Sequence, residues 1–346
     1  TQYSMEYLEE MGLIKMDFLG LRNLSIINEI VDDIKKDNPG FDIKSIPLND
    51  SKSFELISNG DTLGVFQLES AGMVNLSRKM RPVCFEELSM MLALFRPGPM
   101  ENIPQFLHNR ANRKNIHYIC EDIKPILEET YGIILYQEQI MAIARKMAGF
   151  SYGKADVLRK AMSKKKESEL ESLSADFING CKNNGYSEKL ANDIYSLIMK
   201  FANYGFNKSH SIAYGLLAYQ MAYLKANYPL YFYKAVLNGV QGSSMKTFDY
   251  IKECRKRKIS ILRISLNNSS DKYRIVNNSL LMPLGIVKDV GSQTVKRIIE
   301  ERNRGPFRDY VDAIVRLYLA QVDARAMENL ISAGAFDDFG LGRYTM

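Results

Sequence analysis

The sequence has few cysteines, few histidines and no long apolar run. Its four cysteines, Cys84, Cys120, Cys181 and Cys254, lie far apart and form no Cys-x-x-Cys pair. That spacing argues against a structural zinc site or a disulfide framework and is consistent with a reduced cytoplasmic location. Three histidines argue against catalysis built on several histidine ligands. No apolar run approaches the roughly 18 residues of a membrane helix, and the first residues lack the basic and apolar regions of a signal peptide.

Charge is unevenly spread along a chain whose overall balance is mild. The 46 basic and 40 acidic residues give a net charge of +6, which by itself indicates no class of partner. Residues 154–166, however, hold six basic residues and one acid, and residues 252–258 hold five basic residues and one acid. Such concentrated runs indicate localised anion-binding faces, although two solvated helix faces explain them equally well.

Hydrophobic spacing predicts a mainly α-helical chain of two to three domains, at about 150 residues per domain. Apolar residues recur at helical intervals. Residues 126–228 contain no proline that would interrupt a helix, and Pro229 follows them. The predicted helices span residues 22–36, 52–60, 70–80, 84–95, 124–150, 153–163, 166–184, 187–204, 209–227 and 246–258. A short strand is predicted at residues 13–21, ahead of the helical region.

The texture of the sequence changes after about residue 238, where a small polar stretch predicts a boundary. Residues 259–283 read as β-like stretches with a turn at Asn277-Asn278. Residues 284–337 read as helices joined by glycine-bearing hairpins. In the first of these, Lys288 precedes Gly291, and Lys296 and Arg297 follow it. This pattern is typical of a helix-hairpin-helix, whose turn and helix start meet a DNA phosphate. A second candidate spans 324–336; for either one, a glycine that simply ends a helix remains the alternative.

The basic run that contains Arg159, Lys160, Lys164, Lys165 and Lys166 lies on a predicted helix, where Lys164 follows Lys160 by one turn. Guanidinium forks and ammonium groups suit phosphate oxygens. The run therefore predicts a site for a triphosphate or a nucleic-acid backbone. The alternative is a solvated helix end, where lysines interact favourably with the helix dipole.

Two further segments carry polar side chains that could do chemistry. The loop Tyr204-Gly-Phe-Asn-Lys-Ser-His210 combines aromatic rings with Asn207, Lys208 and His210, and it could stack on a base and contact a phosphate; buried aromatics beside a surface histidine are the alternative. On the predicted strand, Lys15 and Asp17 share a face. Spacing alone makes Asp17 a surface or capping acid, because a two-metal site needs at least two carboxylates and no Asp-x-Asp pair accompanies it.

Taken together, these segments resemble the bacterial replicative DNA polymerase III alpha subunits, the family C polymerases. The resemblance covers nearly the whole chain, and its motifs occur in order. They are Gly12-Leu-Ile-Lys-Met-Asp-Phe-Leu-Gly-Leu21, Gly64-Val-Phe-Gln-Leu-Glu-Ser70, Phe95-Arg-Pro-Gly-Pro99, Tyr131-Gly-Ile-Ile-Leu-Tyr-Gln-Glu-Gln139, Leu158-Arg-Lys-Ala-Met-Ser-Lys-Lys-Lys166 and Tyr204-Gly-Phe-Asn-Lys-Ser-His210.

The resemblance implies roles for individual residues. Asp17 matches the third of three palm aspartates that bind Mg²⁺, which overturns the interpretation from spacing, and Lys15 matches a lysine that faces the nucleotide. Arg159 and Lys160 match a basic pair that reaches the nucleotide's phosphates; the family often has Arg-Arg there, and Lys160 would lose the fork geometry. Positions expected to line the nucleotide or template path are Arg96, Asn207, Lys208 and His210. Positions expected to contact DNA are Lys164, Lys165, Lys166, Lys288, Gly291, Lys296 and Arg297.

The resemblance also implies a division of the chain and a set of partners. Residues 1–22 would end the palm, 23–238 would form helical fingers, and 239–346 would form a small α+β, clamp-associated region that grips duplex DNA through hairpins at about 284–337. Expected partners are primer–template DNA, deoxynucleoside triphosphates, the sliding clamp and other replisome subunits. The intact enzyme would perform two-metal nucleotidyl transfer, whereas this chain alone is expected to be an inactive piece. A non-catalytic DNA-binding module is the alternative.

Overall fold

A computed structural model describes residues 2–8, 10–14, 16, 20–164, 167–202 and 205–345. The chain divides into two compact units. One, called here the helical unit, comprises Asp42–Tyr233 and Asp249–Ile259; the other, called the hairpin unit, comprises Thr1–Phe41, Lys234–Phe248 and Ser260–Met346. Helices dominate the secondary structure, so the predicted mainly α fold is confirmed. Within the described part of the chain, no helix combines the length and apolar character needed to cross a membrane.

The helices of the structure include each predicted one except that over residues 124–150, with ends that differ by at most two residues. In chain order they are α1 (Met5–Leu8), α2 (Arg22–Asp37), α3 (Ser51–Ser58), α4 (Ala71–Met80), α5 (Phe85–Leu94), α6 (Ile103–Ala111), α7 (Lys124–Leu127), α8 (Gln137–Ala148), α9 (Tyr152–Lys164), α10 (Glu167–Asn183), α11 (Glu188–Ala202), α12 (Lys208–Asn227), α13 (Pro229–Gly239), α14 (Ser244–Lys256), α15 (Ser292–Asn303), α16 (Tyr310–Leu319) and α17 (Ala324–Ala333). Side-chain caps define several starts: Asp50 accepts from the Ser53 amide at α3, and Ser70 accepts from the Met73 amide at α4.

Two groups of helices pack in the helical unit. In one, α12 lies against α3 and α5. In the other, α8, α9, α10 and α11 enclose a core that includes Ile143, Phe177 and Ile198, all fully buried. Helices α8 and α10 approach closely at Gly180, where an added Cβ would lie 2.2 Å from the Ala148 carbonyl oxygen. This second group holds α9, and with it Arg159 and Lys160, in place.

The single helix predicted over residues 124–150 is wrong. The chain forms α7, a 3₁₀ turn at Glu128–Thr130, an irregular segment and then α8. Tyr131 and Gly132 have φ angles of +53° and +81°, which no α-helix contains. The Gln139 side chain accepts hydrogen bonds from the Leu135 and Tyr136 amides, both at 2.9 Å. The buried side-chain amide of Gln139 thus takes the place of backbone hydrogen bonds that the continuous helix predicted from apolar spacing would contain.

The hairpin unit contains a small sheet and helices α1, α2 and α15 to α17. The strands are β1 (Ile261–Leu262), β2 (Arg274–Val276) and β3 (Ser279–Leu281), in the order β1-β3-β2, with β1 parallel and β2 antiparallel to β3. The turn at Asn277-Asn278 is confirmed, since both residues have positive φ. The core contains Ile298, Leu317, Leu330 and Phe336.

The strand predicted at residues 13–21 falls partly outside the described residues. Lys15, Asp17, Phe18 and Leu19 are not described, and Leu13, Ile14, Met16 and Gly20 are exposed and irregular. A strand needs a neighbouring strand to take up its backbone hydrogen bonds, and the described sheet pairs only β1, β2 and β3. The proposed boundaries at residues 22 and 238 remain predictions.

Candidate functional site

An isolated backbone bridge joins two of the sequence motifs in the helical unit. Tyr136 pairs with Phe206, the Gln137 amide donates to the Phe206 carbonyl at 2.9 Å, and the Phe206 amide donates to the Leu135 carbonyl at 3.0 Å. The bridge therefore brings the segment before α8 against the segment before α12. The residues that surround it, Arg96, Gln137, Arg159, Phe206 and His210, are called here the bridge site.

Asn207 and Lys208 build the start of α12. The Asn207 side chain caps the helix by accepting from the His210 amide at 2.8 Å. The Glu138 carboxylate accepts from the Lys208 amide at 3.0 and 3.1 Å, as the positive end of a helix dipole favours. The Lys208 ammonium forms an ion pair with Glu129 at 2.6 Å. Both residues thus have structural partners, and their contact with a nucleotide remains a prediction.

Arg96 and His210 both contact the Phe206 ring. The Arg96 guanidinium carbon lies 4.0 Å from the centroid of the Phe206 ring, and its Nε donates to the Ala93 carbonyl at 3.1 Å. Burial lowers the pKa of Arg96 from its ordinary value. The His210 ring meets Phe206 edge to face at 5.2 Å and stacks on Tyr214 at 4.0 Å. The two residues singled out from distant motifs therefore share one aromatic neighbour.

Arg159 and Lys160 are joined by one carboxylate on α9. Arg159 Nη2 lies 2.8 Å from Asp156 Oδ1, and Lys160 Nζ lies 2.8 Å from Asp156 Oδ2. Hydrogen bonds from Lys160 and Arg159 lower the pKa of Asp156. Arg159 Nη1 also donates to Gln137 Oε1 at 3.4 Å, which connects α9 to the bridge. An anion that binds this pair must compete with Asp156.

A buried network supports the irregular segment that precedes the bridge. Glu87, only 1% exposed in its side chain, accepts from Arg110 at 2.7 Å and from the Tyr131 hydroxyl at 2.9 Å. Burial and the hydrogen bond to Glu87 raise the pKa of Tyr131 to about 12. The roles of Glu87, Gln137 and Gln139 were not predicted from the sequence. The motif around Tyr131 contained the signal, but apolar spacing assigned it to a helix.

In the hairpin unit, several contacts join the first predicted hairpin and α15 to α17 and the turn before it. The Arg297 guanidinium donates to the Gln321 carbonyl in the turn before α17. In the other direction, Asn329 of α17 donates to the Lys288 carbonyl at 3.1 Å, and Arg325 pairs with Asp289 at 3.2 Å. The second turn therefore lies ahead of α17, and Gly334, where the sequence suggested a hairpin, is the left-handed C-cap of that helix.

Of the other residues predicted to contact DNA, some lie within the described part of the chain and others lie outside it. Lys288 and Gly291 are exposed at the first turn, and Gly291 is the N-cap of α15. Lys296, on the first turns of α15, is 69% exposed and lies 3.8 Å from Glu300. Lys165 and Lys166 lie outside the described residues, as does the Lys164 side chain.

The metal site implied by the motifs cannot be built from the described residues. Among them, no three His, Cys, Asp or Glu side chains come together in a group that could hold a metal ion. Lys15 and Asp17 lie outside the described part of the chain.

Comparison with known proteins identifies relatives for both units. Residues 23–185 match a family described as the bacterial DNA polymerase III alpha subunit finger domain, and residues 258–346 match a helix-hairpin-helix motif. The chain is 48% identical to a DNA polymerase III subunit alpha of Staphylococcus epidermidis and 48% identical to that of Bacillus subtilis. These alignments cover 100% of this chain but 33% and 31% of the relatives. The chain thus spans about a third of the length of the curated relatives that it matches.

Proposed function

The chain belongs to the bacterial DNA polymerase III alpha subunit family, as its motifs predicted, and on that premise we propose that it binds the incoming deoxynucleoside triphosphate and the primer–template DNA of such a polymerase. One observation carries the nucleotide part of the proposal. Arg96 and Arg159 come from motifs far apart in sequence. Arg96 lies on Phe206, and Arg159 donates a hydrogen bond to Gln137. Phe206 and Gln137 are in turn hydrogen-bonded to each other across the bridge.

The proposal assigns nucleotidyl transfer to the whole protein. Magnesium would bind Asp17 together with two upstream aspartates, and Lys15 would face the triphosphate. Since the sequence contains no Asp-x-Asp pair, this chain alone is expected not to incorporate nucleotides. The setting would be the cytoplasm, with the sliding clamp and other replisome subunits as partners of the whole protein.

Within the bridge site, the two arginines suit different parts of a triphosphate site. Arg159 already presents a guanidinium edge to a carboxylate, Asp156, and phosphate oxygens accept from the same fork. Lys160, 62% exposed, adds a mobile point charge. Arg96 has a fixed plane against Phe206. A triphosphate would replace Asp156 as the partner of Arg159 and Lys160, called here the α9 pair. The Asp156 carboxylate should therefore weaken nucleotide binding.

Replacing Asp156 by asparagine is therefore expected to tighten triphosphate binding about fivefold, because one negative charge near the phosphates is removed. Arg159→Gln should weaken binding at least tenfold, since hydrogen bonds between charged groups contribute about 1.5–3 kcal/mol. The measurement is equilibrium titration of the chain with a fluorescent deoxynucleoside triphosphate and magnesium.

A matched control distinguishes a local effect from a change in net charge. Asp176 pairs with Lys154 at 2.7 Å on the neighbouring helix α10, so Asp176→Asn makes the same charge change beside a lysine that has no proposed role. Equal effects of Asp156→Asn and Asp176→Asn, or no effect of Arg159→Gln, would argue against a triphosphate at the α9 pair.

A second candidate function, a DNA-binding module without chemistry, is favoured by the helix-hairpin-helix match over residues 258–346. The first turn and the start of α15 are exposed at the surface, where backbone amides and lysines can meet phosphates. The two candidates differ in one respect: the module binds duplex DNA but has no use for a nucleotide.

Duplex binding should depend steeply on salt. Each phosphate contact adds about 0.9 to the slope of log affinity against log salt, so Lys288→Gln with Lys296→Gln should reduce the slope by roughly two units. Arg297→Gln should instead lower the melting temperature, because the Arg297 guanidinium bonds the Gln321 carbonyl. Lys44→Gln with Lys52→Gln, two exposed positions of the helical unit, is the matched control. An unchanged slope in the hairpin variant would remove these lysines from the duplex contact.

A further inference from the structure

A column of four aromatic rings extends from Arg96 into the helical unit. Phe206 lies under the Arg96 guanidinium, His210 meets Phe206 at 5.2 Å, and Tyr214 stacks on His210 at 4.0 Å. Phe66 completes the aromatic column, with its centroid 5.4 Å from that of Tyr214. His210 and Tyr214 are one turn apart on α12, so the helix itself sets the spacing of the two stacked rings.

Phe66, at the far end of the aromatic column, lies in a turn that hydrogen bonds hold in place. Thr62 donates through its hydroxyl to the Leu68 carbonyl at 2.6 Å, and the buried ammonium of Lys225 donates to the Leu63 carbonyl at 2.7 Å. The Gly64 amide donates to the Glu69 carboxylate at 3.1 Å. These three bonds bracket Phe66 and limit its movement. The column therefore ends at a turn that side-chain hydrogen bonds fix.

We propose that Phe206 is a positioning residue for Arg96, and that His210 acts through its ring as a support for Phe206 rather than by touching the nucleotide. This inference rests on the proposed nucleotide site, of which it is a finer account. Planar guanidinium groups stack on aromatic faces, and Arg96 is fixed by both the Phe206 ring and the Ala93 carbonyl. A guanidinium held in this way loses less conformational freedom when it binds a phosphate.

The ring role and the charge role of His210 make opposite predictions for one substitution. His210→Phe keeps an aromatic ring that can stack on Tyr214 and abut Phe206, but it removes the imidazole nitrogens. Its nucleotide affinity should stay within about twofold of the unchanged chain, because the support is retained. His210→Ala and Phe206→Leu should each weaken nucleotide binding roughly tenfold, because Phe206 loses its support in the first variant and Arg96 loses its cation–π contact in the second.

A measurement without nucleotide tests the positioning directly. In the chain labelled at arginine, the Arg96 side-chain protons should show a ring-current displacement in NMR spectra, and their signal is assigned by its disappearance in Arg96→Lys. The displacement should be lost in Phe206→Leu, reduced in His210→Ala and retained in His210→Phe. Thermal unfolding of each variant checks folding, and Tyr214→Leu, which removes the support without altering the bridge, replaces Phe206→Leu if that variant does not fold.

The outcomes separate this inference from the proposed function. An Arg96 signal that is unchanged in both Phe206→Leu and Tyr214→Leu would overturn the positioning role. So would a His210→Phe variant that loses as much nucleotide affinity as His210→Ala while its Arg96 signal is retained. If the unchanged chain binds no nucleotide, the proposed function fails for this chain, and the NMR displacement still decides whether the column positions Arg96.

Discussion

Replacing Glu87 by alanine should destabilise the chain by about 3–5 kcal/mol, the range for breaking a buried ion pair by removing one partner. The Glu87 side chain is 1% exposed and accepts from two nitrogens of Arg110, from the Tyr131 hydroxyl and from the Val83 amide. Without it, several donors lose their acceptor. The measurement is the free energy of unfolding from urea titration, and Glu86→Ala, an exposed neighbour on the same helix turn, is the control.

The same carboxylate predicts a pH dependence. Burial alone would raise the pKa of Glu87, but hydrogen bonds from Arg110, Val83 and Tyr131 outweigh burial and lower it below its ordinary value of 4.5. A carboxyl group with a lowered folded-state pKa stabilises the fold above its unfolded-state pKa. The difference in stability between the unchanged chain and Glu87→Gln should therefore shrink as pH falls below about 4.5. A constant difference between pH 7 and pH 3, or equal losses in Glu87→Ala and Glu86→Ala, would contradict this account.

Replacing Lys225 by methionine should also destabilise the chain by about 3–5 kcal/mol. The Lys225 side chain is fully buried and donates to Glu253 at 2.8 Å and to the Leu63 carbonyl at 2.7 Å. Methionine fills similar space but removes the nearer cation of the Glu253 carboxylate, itself 13% exposed, and leaves it with Arg257 at 3.7 Å. The double variant Lys225→Met with Glu253→Gln should recover part of the loss, because the remaining amide carries no charge. A double variant no more stable than Lys225→Met would show that the charge is not the cause.

The stability contributed by Lys225 should change with pH in the opposite direction to that contributed by a stabilising exposed ion pair. Burial lowers the pKa of Lys225 from 10.5 to about 8, so between these values the unfolded chain binds a proton that the folded chain does not. Stability contributed by this group therefore rises as pH increases from about 8 to about 10.5. The free energy of unfolding of the unchanged chain, measured relative to Lys225→Met, should increase over that interval. A difference that falls with pH would mean that Lys225 is not buried as the structure places it.

Helices could be predicted from sequence wherever an apolar face and a cap coincided. The starts of α3 and α4 follow from Asp50 and Ser70 next to regular spacing. The break between α7 and α8 could not be predicted in this way. Tyr131 adopts a left-handed conformation that tertiary contacts hold, chiefly its hydroxyl bond to Glu87, 44 residues away. Local propensity contains no information about such a partner.

Residues of the candidate site could be predicted from sequence where they belong to a motif. They could not be predicted where their place depends on long-range contacts. Arg96 and Arg159 were identified by motif, and the structure connects both to the bridge. Lys208 was also identified, but the structure gives it Glu129 as a partner, a contact that composition does not suggest. Phe66 and Tyr214 were missed, because their place in the aromatic column depends on how a turn and a helix from separate regions pack together.

Binding of a triphosphate at Arg159 can be tested by protection of its side chain from a guanidinium-specific reagent. The chain would be treated with phenylglyoxal with and without a deoxynucleoside triphosphate and magnesium, and modification would be quantified by peptide mass spectrometry. The account predicts that the triphosphate slows modification of Arg159 and Arg96, while Arg304, which pairs with Glu301 in the hairpin unit, reacts at an unchanged rate. Equal modification of Arg159 with and without the triphosphate, in a chain that still binds duplex DNA, would contradict the nucleotide site and favour the DNA-binding module.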